Sequence, residues 1–269
     1  WGGDAVDADT GGRALKWLAG LLAIALTALM LLWRLPATWL DHGLQQASRG
    51  GLAMADAGGS VWRGEGSLQA ILPEGEAVTL AQVAWRLDAS ALVRGALRYV
   101  VTRRGDGQLM FDAEIGPLGW RLHALDAQFP ASLLGAFSGT LARLKVSGAM
   151  QVRMLEVSRE AGLWRGSGTI DWRDAASGVS RLRPLGDYHI DVVGKGERLE
   201  YRLGSRGGKL ELRGSGAWRP GDAPDFRGEA VPAPEYRADL APLLRMIGKD
   251  NGSGTYALVL DASTGLGVR

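Results

Sequence analysis

The chain has 269 residues and no cysteine, which excludes disulfides, a thiolate nucleophile and any cysteine-ligated metal. Its 31 basic and 29 acidic residues are interleaved and leave a net charge of +2, so there is no electrostatic case for nucleic acid. Glycine, at 40 residues, is about twice the usual ~7 % and is spread along the chain, which predicts many tight turns and strand bends and not one flexible linker.

The first element is an apolar run from Trp17 to Trp33 whose only polar side chain is Thr27. A helix needs ~20 residues to cross a bilayer. Ala14, Leu15, Lys16, Arg34 and Leu35 complete that length, because long basic side chains snorkel to the headgroups. Leu21, Leu22, Ile24, Leu26, Leu29 and Leu31 would face lipid, and Trp17 and Trp33 would sit at the two interfaces. The run is apolar all round, unlike a one-faced core helix. It exceeds the ~7–15 residues of a signal-peptide core, and no small-x-small cleavage site follows conveniently. The expectation is therefore an uncleaved transmembrane signal anchor at 14–35. Arg13 and Lys16 balance Arg34 and Arg49, a tie under the positive-inside rule. Economy assigns the short tail, 1–13, to the cytoplasm and exports 36–269 as one domain.

That domain reads as β. Thr79, Ala81, Val83, Trp85 and Leu87 alternate onto one face, as do Leu109, Phe111, Ala113 and Ile115. The same holds for Leu144, Val146, Met150, Val152 and Met154, for Leu199, Tyr201 and Leu203, for Leu210 and Leu212, and for Tyr256, Leu258 and Leu260. Gly105-Asp106-Gly107, Gly194-Lys195-Gly196 and Gly207-Gly208 predict hairpin turns, since glycine reaches φ > 0 without a Cβ clash. Clean alternation implies sheets with one apolar and one polar face. The predicted fold is mainly β: a long antiparallel, glycine-rich curved sheet, half-barrel or sandwich. Short helices are expected at Pro36–Ser48, at Pro130–Phe137 and at Asp239–Ile247, with Asp239 as N-cap, Pro242 in the first turn and Gly248 as stop. Four prolines from Pro220 to Pro234 thin the strand pattern and mark a weak break.

Seven of the ten tryptophans precede an arginine: Trp33, Trp62, Trp85, Trp120, Trp164, Trp172 and Trp218. Adjacent strand residues face opposite sides, so Trp would enter the core while Arg meets solvent, with nearby glycines making room. The functional alternative is a row of aromatic platforms for sugar or lipid. Catalytic signals are missing: His42, His123 and His189 form no metal-spaced motif, and no nucleophile elbow, P-loop or dinucleotide loop is present. No catalytic, cofactor or metal residues are assigned.

The order of short motifs carries a resemblance. The apolar run is followed by Gly59-Ser-Val-Trp62-Arg-Gly64, then Val83-Ala-Trp85-Arg-Leu87, then Phe129-Pro130-Ala131 before an expected Gly139-Thr-Leu strand. Trp164-Arg-Gly166-Ser-Gly168 runs on to Trp172, Pro184-Leu-Gly186-Asp-Tyr188 follows, and Leu243-Leu-Arg-Met-Ile-Gly248 stands near the end. Across nearly its whole length the chain resembles the type II secretion system protein N family. The resemblance implies a Gram-negative, single-pass inner-membrane protein with a periplasmic β domain and no enzymatic activity. Its expected partners are inner-membrane platform proteins and the outer-membrane secretin, together with membrane lipid and no nucleic acid. The competing function is an AsmA-like lipid-binding or lipid-transfer protein using an open apolar sheet face, with an anchored carbohydrate enzyme a remote third. Burial of Trp85, Trp164 and Trp172 would count against the open groove.

Overall fold

In the computed structural model, residues 34–260 are described, apart from 49, 73, 74, 137, 138 and 223. The expected anchor, including Trp17, Leu21, Leu22, Ile24, Leu26, Leu29, Leu31 and Trp33, lies outside the described residues except for Arg34 and Leu35. Among the described residues no helix is long and apolar enough to cross a membrane.

The strands are β1 (Leu52–Gly59), β2 (Arg63–Ile71), β3 (Ala77–Asp88), β4 (Leu97–Arg103), β5 (Leu109–Gly116), β6 (Gly119–Pro130) and β7 (Val146–Glu160). They continue as β8 (Leu163–Ser177), β9 (Gly186–Lys195), β10 (Arg198–Gly208), β11 (Leu210–Trp218), β12 (Asp225–Pro232), β13 (Lys249–Asp250) and β14 (Tyr256–Leu260). All belong to one 14-stranded sheet in chain order, except that β14 lies between β12 and β13. Neighbours are antiparallel throughout, as in β7 with β8 and β11 with β12. The long meander is thus present, and it is one open sheet and not a sandwich of two. Two of the three glycine turns hold: Gly105 and Gly107 join β4 to β5 and Gly196 joins β9 to β10, at positive φ, whereas Gly207 and Gly208 are strand residues that end β10, with Gly208 paired to Gly186 across a bulge.

β-Bulges break the simple alternation. Leu68 pairs with Ala81 but Gln69 with Thr79, so Leu80 is an extra residue and Thr79 turns to the polar face. Val101 pairs with Phe111 and Thr102 with Leu109, so Met110 is extra and Leu109 is turned outward, 40 % exposed. A two-residue period cannot foresee such an insertion, because one extra residue swaps every later side chain between faces. Gly139–Leu144 is a short helix, so neither the expected Gly139-Thr-Leu strand nor Leu144 belongs to the sheet.

The helices are α1 (Thr38–Ala47), α2 (Gly139–Leu144) and α3 (Arg237–Ile247), with a 3₁₀ segment at Ala131–Ala136. α1 and the 3₁₀ segment fall where expected. α3 starts two residues before Asp239, because the 3₁₀ turn Pro234–Tyr236 runs straight into it; Asp239 is a first-turn acid and not the N-cap. Pro242 sits inside the helix, and Gly248 leaves it extended at φ −159° and not left-handed. The proline-rich stretch is no boundary, since β12 crosses it and pairs on both sides.

Two apolar clusters form on one face of the sheet. Toward the N-terminus, Ala37, Val83, Trp85 and Val101 are buried with Leu40 of α1 against them. Toward the C-terminus, Leu240, Leu243 and Leu244 of α3 pack on Leu185, Leu210, Ala230 and Tyr256, joined by Leu144 and Leu141 of α2.

Candidate functional site: two faces of one sheet

Directly paired residues share a face, so the register assigns each side chain. The apolar face carries Phe129, Met150, Trp172 and Tyr188 in one row, then Ala127, Val152, Ile170, Ile190 and Leu203, then Leu125, Met154, Gly168, Val192 and Tyr201. The charged face carries the arginines that follow Trp85, Trp120, Trp164 and Trp172. Trp inward and Arg outward is the arrangement the alternation implies.

Glycine and aromatic residues are fitted to each other on the apolar face. A Cβ on Gly64 would lie 2.5 Å from the Trp85 ring, and one on Gly216 would lie 2.8 Å from Tyr201. Phe226 occupies the space over Gly214 in the same way. The ring covers backbone that a side chain would otherwise fill, which explains much of the glycine content. Indole N–H groups are tied down as well. Trp85 Nε1 donates to the Ser60 carbonyl and Trp172 Nε1 to the Ser147 carbonyl, both at 3.0 Å.

The motif residues fall into these arrangements. Gly59, at φ +91°, closes β1, Trp62 lies in the following bend and Gly64 underlies Trp85. Gly166, at φ +95°, faces the Glu156–Val157 bulge, and Trp172 packs on Tyr188 at 5.6 Å. Tyr188 donates its hydroxyl to the Leu210 carbonyl at 2.9 Å, and burial pushes its phenol well above the usual range. Pro184 follows a cis peptide bond, Gly186 opens β9 against Gly207 and Gly208, and Gly248 abuts Ala257 and Leu258. They are structural positions, gathered around the two clusters and not into one pocket. Trp85 and Trp164 are only 4 % and 8 % exposed and Trp172 is half-buried, so these rings fill the core and do not line an open groove.

The charged face is laced with ion pairs. Arg98 grips Asp112 through Nε at 2.9 Å and Nη2 at 2.6 Å, which holds that carboxyl below its ordinary range despite partial burial. His189 lies between two carboxylates, Nδ1 2.7 Å from Asp171 and Nε2 3.0 Å from Asp191, with Arg206 3.0 Å from Asp171. Burial alone would raise Asp171, but the bond to His189 and the charge of Arg206 bring it below the usual value. Among the described residues no group of three or more His, Cys, Asp or Glu side chains is placed to hold a metal. Grooves of about 740 Å³ and 470 Å³ lie over β9–β12 and β5–β9.

A third arrangement escaped the sequence reading: a row of Trp120, Arg159, Trp164 and Trp218. Trp120 meets Trp164 edge-on at 5.5 Å, and Trp218 reaches Trp164 at 6.1 Å although β9 and β10 separate their strands. Only the Trp-Arg spacing hinted at it. Arg159 follows no tryptophan, and it is brought opposite Trp164 by the hairpin.

The domain is a single amphipathic antiparallel sheet, clamped by a helix at each end and cushioned by glycine–aromatic pairs. The family model for type II secretion system (T2SS), protein N matches residues 50–259. The chain belongs to this family, which makes it an envelope-associated accessory component of type II secretion. No curated protein and no solved structure matches it.

Proposed function

We propose that the chain is a non-enzymatic accessory subunit held in the inner membrane by residues 14–35. Residues 1–13 are cytoplasmic and 36–269 periplasmic, where the sheet binds platform proteins and the secretin. The family match over residues 50–259 carries this reading. The two sheet edges support a mode of contact. On β1, the outward N–H groups of Leu52 and Met54 donate to Ser48 Oγ at 2.9 Å and Asp41 Oδ1 at 2.7 Å, so α1 blocks strand addition there. At the other end, β13 covers only Tyr256 and Ala257 of β14 among the described residues, and Val259 is 52 % exposed. The β14 edge is the one free to pair with a partner's strand.

Photoreactive residues at Val259 and, separately, at Ala53 of β1 test this in native membranes. Cross-links to secretion-platform or secretin subunits from Val259 and not from Ala53 are expected. Stoichiometric phospholipid with no secretion subunit recovered from either position would overturn the reading in favour of the lipid carrier.

A further inference from the structure

Arg159 lies on the apolar face because of a bulge. Leu155 pairs with Ser167 and Ser158 with Arg165, so Glu156 and Val157 together face Gly166, and Glu156 takes φ +51°. Without that extra residue Arg159 would point to the charged face, among its natural partners. A second bulge, at His123 of β6, turns Trp120 onto the same apolar face. Two separate backbone irregularities thus build one row, and bulges re-aim side chains at functional sites.

The row is electrostatically incomplete. The Arg159 guanidinium lies over the Trp164 ring at 5.7 Å, and among the described residues it has no carboxylate partner, the adjacent Glu160 pairing with Arg121. Among the described residues, Arg159 Nε and Trp164 Nε1 are both sealed from solvent and both lack an acceptor, and Trp164 itself is only 8 % exposed. Trp85 and Trp172, the tryptophans of the two clusters, by contrast have their indole N–H satisfied by backbone. A buried donor left without an acceptor keeps its full desolvation penalty, larger when charged, so two in contact call for an acceptor. Of the guanidinium nitrogens only Nε is sealed and unpartnered, so the Nη side offers the approach.

We propose that Arg159 and Trp164 form a binding site for a phosphate group, free or carried by a lipid headgroup. The indole N–H lies in its ring plane while the guanidinium lies over that ring, so the two donors are not coplanar. A tetrahedral phosphate directs oxygens to both donors at once, and the guanidinium fork matches phosphate geometry. The aromatic flanks, Trp120 and Trp218, exclude water and strengthen the contact. The proposal does not depend on the secretion reading.

The test is ¹⁵N–¹H spectroscopy of the tryptophan indoles of the full chain in a non-ionic detergent, with Trp164→Phe identifying the Trp164 resonance. Inorganic phosphate and dihexanoyl phosphatidylglycerol are titrated separately. A saturable shift of the Trp164 indole is expected, with affinity at least tenfold weaker in Arg159→Gln and intermediate in Arg159→Lys. A response to both probes means that phosphate alone suffices; a response to the lipid alone assigns the headgroup. A Trp164 resonance unmoved by either probe, as an internal water would leave it, overturns the proposal. So does a shift that persists in a folded Arg159→Gln protein; should that variant not fold, an unchanged affinity in Arg159→Lys together with Trp164→Phe does the same.

Discussion

The two ends of the apolar face use the same device at different depths. Each sets a tryptophan against glycine and ties its indole to a carbonyl 25 residues earlier: Trp85 to Ser60, and Trp172 to Ser147. Each is covered by a helix, α1 or α3. At the C-terminal end Leu240 and Leu244 have no exposed surface, and α2 adds a second cover. At the N-terminal end α1 contributes mainly Leu40, and Tyr99, Met54 and Phe111 remain half-buried. α1 also spends Asp41 and Ser48 on blocking an edge, so one helix serves both packing and edge protection. The C-terminal end is the more deeply buried, while the N-terminal end also ties up the N–H groups of a sheet edge.

This contrast can be broken or sharpened by substitution. Leu244→Ala should cost about 4 kcal/mol in urea unfolding, against about 2 kcal/mol for Val83→Ala in the shallower cluster. Equal losses would erase the distinction between the ends. Gly64→Ala places a methyl against the Trp85 ring and the Gly58 carbonyl and should cost about 2 kcal/mol by overpacking, with a blue- or red-shifted Trp emission. A neutral result would mean that the ring yields freely and the glycine fit is incidental.

Acid unfolding probes the opposite face. The Asp112 carboxyl is held below its ordinary value of 3.8 by Arg98, so its contribution is complete above pH 3.8 and disappears as pH falls through the lowered folded value. Asp112→Asn should therefore be less stable than the parent by roughly 1 kcal/mol near pH 6, and the gap should close in acid. A gap that widens in acid would reverse the assignment. The smallest effect is a gain: Gly43, in α1 with nothing within 4 Å of its Cβ position, should stabilise by about 0.5 kcal/mol as Gly43→Ala, read as a raised Tm.

Much of this architecture was legible because period-two alternation and glycine turns act locally. Val83, Trp85 and Leu87 declared their face, and Gly105 and Gly107 their hairpin, without reference to distant residues. Thr79 and Leu109 were misplaced because a bulge depends on the partner strand's register, which no single strand encodes. The start of α3 was misjudged because a 3₁₀ turn can feed a helix without a polar N-cap. Asp191 stands two residues from His189 on the same strand face, but Asp171 becomes its neighbour only through the β8–β9 pairing.

By itself the sequence determined a glycine-rich, two-faced antiparallel sheet, its main turns, and an ordered set of motifs sufficient for the secretion family. These follow from side-chain polarity and backbone freedom, which are properties of short segments. Tertiary structure alone decided that there is one sheet with unequal edges and that Arg159 stands on the apolar face. Those outcomes depend on bulge positions and on strand pairing across the chain, where a single inserted residue changes what every later side chain meets.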